Sequence, residues 1–182
     1  MLADIARVLY HESTILSRID ELAHEITQDY KSKELTVVSI LNGSFIFMAD
    51  LLRRVPLPLQ LDSWSVSSYK GIKSEGEIHF RQSQIADVRG RHVLLLDDIL
   101  DSGLTLQAIK SKLSAESGAA SIRSCVLLRK NVQRALSVEA DYIGFDIPNE
   151  FVVGYGLDYN EEYRNLPYIG ILNEEAIRRH AR

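Results

Sequence analysis

The chain has 182 residues, of which 46% are hydrophobic and 25% are charged, and its formal net charge is −4. This length supports a single domain with a full hydrophobic core, which we expect to span residues 1–182. The negative charge argues against a nucleic-acid-binding protein that relies on an overall basic field. The single cysteine, Cys125, suits a reducing compartment. The first residues show no signal-peptide pattern and no apolar run approaches the roughly 18 residues of a membrane span, so we expect a cytoplasmic protein that binds no membrane.

The first predicted elements are a helix, a strand and a second helix. Apolar residues recur at helical spacing from Ser13 to about Tyr30, with Ser13 as the candidate N-cap. Residues 36–41, TVVSIL, have the β-branched and apolar composition of a buried strand, and helical spacing resumes at Phe45. The turn of residues 42–44 therefore joins a strand end to a helix N-terminus. Backbone N–H groups at such a turn can hold an anion, although short turns containing glycine are common.

A polar segment with two glycines follows the next predicted strand. Residues 61–69 alternate apolar and polar side chains, as expected of a half-buried strand. Residues 69–80, YKGIKSEGEIHF, then contain two glycines, two lysines and two glutamates. We predict a flexible loop over about residues 68–80, which is either a solvated hairpin or a lid that closes over a ligand.

The central feature is the stretch from Val93 to Leu106, VLLLDDILDSGLTL. Its apolar run predicts a buried strand at residues 92–96, and the acids Asp97, Asp98 and Asp101 then begin a polar loop that leads into a helix. Strands that alternate with helices predict a parallel sheet, and ligands of such sheets bind at the carboxyl ends of the strands. Further strands are predicted at residues 121–128, 141–148 and 168–172.

Several interpretations of this acidic loop compete. Neither the GxxxxGK[ST] motif of P-loop NTPases nor the GxGxxG motif of dinucleotide-binding folds occurs in it. A receiver-type phosphoacceptor domain places its acids on separate strands, whereas here all three acids share one loop. A solvated acidic turn and a loop that binds a phosphorylated sugar both remain open.

The residue types favour the phosphorylated sugar. Ser102 and Thr105 supply hydroxyl groups, Gly103 permits close approach of the backbone, and the N–H groups that open the helix at Leu104 favour an anion. This half of the loop can hold a monophosphate. The two acids that open the loop can accept ribose hydroxyl protons or bind Mg²⁺ directly or through water.

The loop resembles the phosphoribosyl-pyrophosphate motif of type I phosphoribosyltransferases, which is an apolar strand, two acids, two apolar residues and D-[ST]-G-x-T. Four further segments resemble the hypoxanthine (hypoxanthine-guanine) branch of that family: RIDELA, LNGSFIFMADL, SSY and FVVGYGLDYNEEYRNLPYIGIL. The match covers nearly the whole chain. The resemblance implies an α/β, type I phosphoribosyltransferase fold, with a central mainly parallel sheet flanked by helices and a small hood built from about residues 1–15 and 149–182.

The resemblance also implies a purine salvage reaction. A 5-phosphoribosyl group would pass from phosphoribosyl pyrophosphate to N9 of hypoxanthine or guanine, giving IMP or GMP and pyrophosphate, with Mg²⁺ as the cofactor and a homodimer or homotetramer as the assembly. Adenine is expected to be a poor substrate because an ammonium group at Lys130 suits a 6-oxo acceptor, whereas xanthine stays open. The alternative is a regulator of the same fold that senses phosphoribosyl pyrophosphate or nucleotides without turnover. The presence of both Asp101 and Lys130 favours the enzyme.

Individual residues acquire implied roles where they match the family motifs. Asp101 is the expected general base, and Lys130 is the expected donor to the purine 6-oxo oxygen. Phe151 is expected to stack on the purine, and the backbone of Val152 is expected to contact its edge. The remaining implied assignments are the 5′-phosphate (Asp101, Ser102, Gly103, Leu104, Thr105), the ribose and metal (Asp97, Asp98), the purine and a second metal (Asp158), and pyrophosphate (Asn42, Gly43, Ser68, Tyr69, Arg164).

Two positions depart from the commoner family pattern. Asn42 stands where many relatives carry a lysine, so the positive charge that meets pyrophosphate would come from Arg164 or the metal alone. Ser102 stands where threonine is commoner, and it retains the hydroxyl group. We expect the first difference to affect turnover and not the fold.

Overall fold

The computed structural model describes residues 2–68, 78–80, 87–134 and 137–180. The described residues form two β-sheets and four α-helices. The helices are α1 (Glu12–Asp29), α2 (Phe45–Leu52), α3 (Leu104–Glu116) and α4 (Glu174–His180). The strands are β1 (Ile5–Tyr10), β2 (Leu35–Leu41), β3 (Leu59–Ser68), β4 (Ile78–Phe80), β5 (His92–Leu100), β6 (Ser121–Lys130), β7 (Tyr142–Ile147), β8 (Val152–Val153) and β9 (Ile169–Leu172).

The larger sheet confirms the predicted parallel α/β architecture. Its strand order is β4-β3-β2-β5-β6-β7, in which β3, β2, β5, β6 and β7 are parallel and the short β4 pairs antiparallel with β3. Parallel strands are buried on both faces, which explains why β2 and the first part of β5 read as nearly continuous apolar runs. Because the strands are parallel, the carboxyl ends of β2, β5 and β6 lie at the same edge.

The alternation of side chains along β5 divides the core between the two faces of the sheet. Leu94 and Leu96 pack in the cluster that contains the buried faces of α1 and α2. Val93 and Leu95 pack in the other cluster, with the buried residues of α3. Successive side chains of a strand point to opposite faces, so one apolar run serves both helical layers and fixes the position of its own carboxyl end.

Helix α1 covers one face of the sheet. Its 18 residues place a stripe of fully buried side chains toward the core, namely Ile15, Ile19, Leu22, Ala23 and Ile26. The predicted N-cap at Ser13 is wrong, since the helix begins one residue earlier, at Glu12, and His11 occupies the N-cap without a side-chain hydrogen bond. Across the described ranges, the helices are all too short or too polar to cross a membrane.

The smaller sheet joins the two ends of the chain. It has the order β1-β9-β8, and both pairings are antiparallel. No strand is predicted for Ile5–Tyr10 from sequence, because the residues that pair with it lie at the opposite end of the chain. Asp4 strengthens the connection, since it accepts hydrogen bonds from Tyr163 and Arg179 at 3.0 and 2.5 Å. This sheet carries the tail segment over the carboxyl edge of the larger sheet.

The predicted boundary between the central strand and the acidic loop is wrong. Strand β5 continues to Leu100, so Asp97 and Asp98 lie in the strand and not in a loop. The reason is tertiary: Ile99 and Leu100 pair with Leu128 and Arg129 of β6, which also extends beyond its predicted end, to Lys130. The loop before α3 is therefore only three residues long, 101–103.

Candidate active site

Two adjoining cavities open at the carboxyl ends of β2, β5 and β6. The larger, of about 390 Å³, is lined by the turn after β2, the acidic end of β5, the loop before α3, and two residues of the tail, Asp158 and Arg164. The smaller, of about 160 Å³, is lined by Lys130, Phe151 and Val152 together with residues that it shares with the larger cavity. The shared residues are Asp98, Ile99, Asp101 and Asp158. The two cavities therefore form one continuous cleft.

Two adjacent carboxyl groups form the floor of this cleft. Asp97 is 7% exposed and its Oδ1 accepts the N–H of Asp98 at 3.0 Å, while Oδ1 of Asp98 accepts the N–H of Ile99 at 2.9 Å. Burial raises the pKa of Asp97 well above its ordinary value, and the neighbouring Asp98 carboxylate raises it further. Burial also raises the pKa of Asp98, although hydrogen bonds and the charge of Arg164 act in the opposite direction. A bound cation would compensate this concentrated negative charge.

Gly43 brings the turn after β2 into direct contact with the acid pair. A Cβ at this position would lie 1.8 Å from Oδ2 of Asp98, so a side chain could enter only if the turn and the carboxylate moved apart. Ser44 anchors the turn to β2. Its buried hydroxyl donates to the carbonyl of Ile40 at 2.5 Å and lies 2.7 Å from the hydroxyl of Ser39. The predicted strand-to-helix turn therefore lies against Asp98, and both line the larger cavity.

The loop before α3 presents backbone donors to the same cavity. Gly103 is the N-cap of α3 and has a φ of +83°, a left-handed conformation that glycine adopts without strain. The N–H of Leu104 lies 3.4 Å from the hydroxyl of Ser102, and the side chain of Leu104 is exposed. The N-terminus of a 13-residue helix thus lies beside the hydroxyl of Ser102, and the unpaired N–H groups and the dipole of a helix N-terminus favour an anion.

Asp101 and Lys130 form an ion pair between the two cavities. Nζ of Lys130 lies 2.8 Å from Oδ2 of Asp101, and the lysine side chain is 12% exposed whereas the aspartate is 52% exposed. An ion pair with a half-exposed partner contributes on the order of 0–1 kcal/mol, so a ligand that offers Lys130 another acceptor can replace this contact. The expected general base and the expected donor to the purine 6-oxo oxygen thus contact each other here.

The tail segment forms the roof of the cleft. Nη2 of Arg164 lies 2.9 Å from Oδ1 of Asp158, and its Nη1 donates to the carbonyl of Gly156 at 2.8 Å. Phe151 is 46% exposed, and its ring packs edge-on against Tyr159 with centroids 5.0 Å apart. The exposed face of Phe151 and the adjoining Val152 border the smaller cavity, close to Lys130.

The cleft gathers most of the predicted site residues. Leu104 lines neither cavity, and its N–H donates to the hydroxyl of Ser102, which lines the larger one. Ser68 is the last residue of β3, where its backbone pairs with Ile78, and Tyr69 and the rest of the predicted loop through residue 77 lie outside the described residues. The predicted residues that line one or both cavities are Asn42, Gly43, Asp97, Asp98, Asp101, Ser102, Gly103, Thr105, Lys130, Phe151, Val152, Asp158 and Arg164.

Sequence reasoning missed two residues that support the cleft. Tyr159 orients Phe151, and its hydroxyl donates to the carbonyl of Ile177 in α4 at 3.3 Å. Arg134 contacts the backbone beneath Asp101 and Lys130. The aromatic character of the tail motif could have indicated a role for Tyr159 beside Phe151. By contrast, nothing in the segment RKNVQR distinguishes Arg134 from a surface arginine.

The fold and the cleft define a phosphoribosyltransferase of type I, in which a parallel sheet holds an acid pair and the loop before α3 at its carboxyl edge. The family model for the phosphoribosyl transferase domain matches residues 8–160. A hypoxanthine-guanine phosphoribosyltransferase from Streptococcus pneumoniae is 46% identical over 174 residues, which cover 95% of this chain and 96% of that protein. The chain belongs to the hypoxanthine-guanine phosphoribosyltransferase family.

Solved structures agree with this assignment. A hypoxanthine phosphoribosyltransferase from Staphylococcus aureus superimposes with a TM-score of 0.91 and 42% identity, covering 97% of this chain and 96% of that chain. A variant of the hypoxanthine phosphoribosyltransferase from Trypanosoma cruzi, in a ternary complex with substrates, gives a TM-score of 0.89 and 36% identity, covering 96% and 99%. The predicted fold class is therefore confirmed.

Proposed function

We propose that this protein transfers the 5-phosphoribosyl group of phosphoribosyl pyrophosphate to N9 of hypoxanthine and guanine, forming IMP and GMP and releasing pyrophosphate in purine salvage. The observation that carries the proposal is the continuity of the two cavities. A site with anion donors and acids adjoins a site with an ammonium group and an exposed aromatic ring, and Asp101 lies between them. The similar protein from Streptococcus pneumoniae is named a hypoxanthine-guanine phosphoribosyltransferase, and that from Staphylococcus aureus a hypoxanthine phosphoribosyltransferase.

The larger cavity fits the phosphoribosyl donor. The hydroxyls of Ser102 and Thr105 and the N–H groups that begin α3 would hold the 5′-phosphate. The acid pair would accept hydrogen bonds from the ribose hydroxyls. Pyrophosphate would lie between the turn of residues 42–43 and Arg164, which border the same cavity, and the loop with Ser68 and Tyr69 would cover it.

The acids of the cleft fit Mg²⁺ as a cofactor. In the ranges for which the structure gives side chains, no three His, Cys, Asp or Glu residues converge in the manner of a metal cage, so the ion would take its remaining ligands from the donor. Mg²⁺ is commonly bound by one or two carboxylates plus substrate phosphates, and the buried pair of Asp97 and Asp98 offers that set, with Asp158 beside a second position. When bound, the ion would neutralise the negative charge of the departing pyrophosphate.

The smaller cavity fits a 6-oxopurine. Phe151 would stack on the ring and the backbone of Val152 would contact its edge. Lys130 would leave Asp101 and donate to the 6-oxo oxygen. Adenine carries an amino group at that position and would place a donor against a donor, which is the kind of mismatch that a polar site rejects strongly.

Asp101 would act as the general base. The N9–C1′ bond forms as the C1′–O bond to pyrophosphate breaks, and the purine loses one proton during the exchange. Once Lys130 has moved to the purine, the Asp101 carboxylate can accept that proton. Positive charge develops on the ribose and negative charge on pyrophosphate, and Arg164 lies where it can stabilise the latter.

A panel of bases tests the proposal. The protein is incubated with phosphoribosyl pyrophosphate, Mg²⁺ and hypoxanthine, guanine, xanthine or adenine, and nucleotide and pyrophosphate are quantified. Hypoxanthine and guanine are expected to react, with kcat/KM roughly 10⁴-fold above that for adenine. No product with any base would exclude the enzyme, and binding of phosphoribosyl pyrophosphate by calorimetry without turnover would support the alternative, a regulator that senses it.

We also propose that residues 1–182 form one domain, that the protein acts as a homodimer or homotetramer, and that it is cytoplasmic. The support for the assembly is the resemblance to the family. The support for the compartment is the single, buried cysteine. Sedimentation velocity of the purified protein would distinguish a dimer from a tetramer, and a monomer would exclude both.

A further inference from the structure

Arg134 lies four residues beyond the end of β6 and turns back toward the cleft. Its Nε donates to the carbonyl of Asp101 at 2.8 Å, and its Nη2 donates to the carbonyls of Leu100 and Lys130 at 3.3 and 2.5 Å. The side chain is only 10% exposed, and Nη1 lies 3.7 Å from Oε1 of Glu139. One guanidinium therefore joins three backbone carbonyls.

These carbonyls belong to the ends of two neighbouring strands. The backbone pairing between β5 and β6 ends with Leu100 and Arg129, so the residues immediately beyond it, Asp101 and Lys130, lie outside the ladder. The carbonyl of Lys130 accepts the N–H of Val132 at 3.0 Å, a hydrogen bond that stays within the end of β6 and the turn after it. Arg134 supplies the hydrogen bonds that join this carbonyl to those of Leu100 and Asp101, at the point where the pairing between β5 and β6 ends.

We propose that Arg134 is a positioning residue for phosphoribosyl transfer, fixing the backbone of Asp101 relative to that of Lys130. This inference rests on the proposed function, in which these two residues meet the purine. The distance between the general base and the donor to the 6-oxo oxygen is then set by one buried guanidinium. Arg134 itself contacts only backbone in the cleft and takes no part in proton transfer.

Arginine is suited to this task in a way that lysine is not. Its planar guanidinium holds several N–H groups at fixed angles, so Nε and Nη2 can reach carbonyls of both strands at once. An ammonium is a point donor on a flexible stem and cannot hold the same separation. Replacement of Arg134 by lysine therefore keeps the positive charge and removes the fixed arrangement of N–H donors.

Arg129 provides a matched control. It lies on β6 one residue before Lys130, and its guanidinium pairs with Asp146 at 2.6 Å and with Glu139 at 3.2 Å. Within the described ranges, the hydrogen bonds of its guanidinium go to these two carboxylates and not to the backbone of β5. Arg129→Lys thus replaces the same guanidinium group, beside the same glutamate, and leaves the hydrogen bonds of Arg134 to both strands in place.

The experiment compares wild type, Arg134→Lys and Arg129→Lys in steady-state kinetics with hypoxanthine and phosphoribosyl pyrophosphate. Arg134→Lys is expected to lower kcat roughly 10- to 100-fold, since a displacement of about 1 Å at a catalytic group can cost that much. The KM for phosphoribosyl pyrophosphate is expected to rise by a smaller factor than kcat falls, because only the 5′-phosphate contacts adjoin the segment that Arg134 holds, whereas the pyrophosphate contacts at residues 42–43 and Arg164 lie on other segments. Arg129→Lys is expected to keep the wild-type kcat.

Three results would overturn the inference: a wild-type kcat in Arg134→Lys, an equal loss in Arg129→Lys, or a proportional loss of donor affinity. Arg134→Gln, which keeps an amide donor, is measured in parallel, and circular dichroism at the assay temperature shows which variants are folded. Loss of fold in both Arg134 variants would assign the residue to stability alone and also overturn the inference. An inactive wild-type protein would instead reject the proposed function.

Discussion

Substitution of Gly43 by alanine tests whether the turn after β2 and the acid pair form one binding surface. The added Cβ would lie 1.8 Å from Oδ2 of Asp98 and 2.4 Å from its Cγ. Real Cβ contacts essentially never fall below 3.0 Å, so the turn and the carboxylate must separate by at least 3.0 − 1.8 = 1.2 Å. Asp98 is short, and its Oδ1 is bound to the N–H of Ile99, so the turn and the acid share this movement.

The expected consequences are a modest loss of stability and a large loss of activity. Forcing an extra methyl group into a packed site costs about 1–3 kcal/mol. For a chain of this size, that corresponds to a fall in Tm of roughly 2–12 °C. A displacement of this magnitude at Asp98 is expected to lower kcat/KM for phosphoribosyl pyrophosphate by about 100-fold.

Initial rates over a range of phosphoribosyl pyrophosphate concentrations, together with thermal unfolding, measure both effects. Gly90→Ala is the control for an added methyl group without a steric contact, because a Cβ at Gly90 would meet no atom within 4 Å, and its φ of +73° adds a left-handed strain that Gly43 does not have. Gly90→Ala is expected to lose about 1–2 kcal/mol from left-handed strain and to keep its kcat/KM. A wild-type kcat/KM in Gly43→Ala would refute the reasoning.

A double-mutant cycle sharpens this test. In an Asp98→Ala background the carboxylate that collides with the new methyl group is absent, so Gly43→Ala is expected to cost little further stability. The two substitutions should therefore be strongly non-additive, as expected for residues in contact. Additive effects on the free energy of unfolding would show that the contact between Gly43 and Asp98 is not what excludes a side chain.

Four further outcomes are expected. Asp101→Asn should lower kcat by roughly 10² to 10⁴ while calorimetry shows unchanged affinity for phosphoribosyl pyrophosphate, and an unchanged kcat would remove the general base from this position. Lys130→Met should raise the KM for hypoxanthine more than that for phosphoribosyl pyrophosphate in the same assay, whereas equal changes would argue against a contact with the purine. Tyr30→Phe should keep or increase the Tm, because the buried hydroxyl has no hydrogen-bond partner among the described residues, and a fall of several degrees would contradict this. A hydrogen bond from Arg179 lowers the pKa of Asp4 from 3.8 to about 2, so Asp4 should contribute stability above about pH 4 that is lost as the pH falls toward about 2, and urea unfolding should show this dependence weakened in Asp4→Asn.

The sequence predicted the parts of the fold that depend on local pattern. The apolar run that begins at Val93 predicted a strand buried on both faces, and the acids, glycine and hydroxyls after it indicated where the candidate site lies. The place where β5 ends was not predictable, because pairing with β6 carries the strand through Asp97 and Asp98 to Leu100. Likewise, the partners of Ile5–Tyr10 lie at the other end of the chain.

The candidate site was predictable where a role follows from the residue type. It was not predictable where a role depends on which residues come into contact in the folded chain. Asp101 and Lys130 could each be assigned a role from the family motifs, but their mutual contact at 2.8 Å appears only in the folded structure. The requirement for glycine at position 43 arises from the carboxylate of Asp98, and that of arginine at position 134 from three carbonyls of the backbone. Neither is encoded in a local pattern.

The most direct test of the central claim is the structure of the complex with GMP. The claim is that one cleft holds the 5′-phosphate at the start of α3 and the purine at Lys130. The phosphate is expected within hydrogen-bond distance, about 3 Å, of the N–H groups and hydroxyls of residues 102–105, and Nζ of Lys130 is expected on the 6-oxo oxygen and no longer on Asp101. A nucleotide bound elsewhere, or one bound while Lys130 and Asp101 stay paired, would contradict the claim.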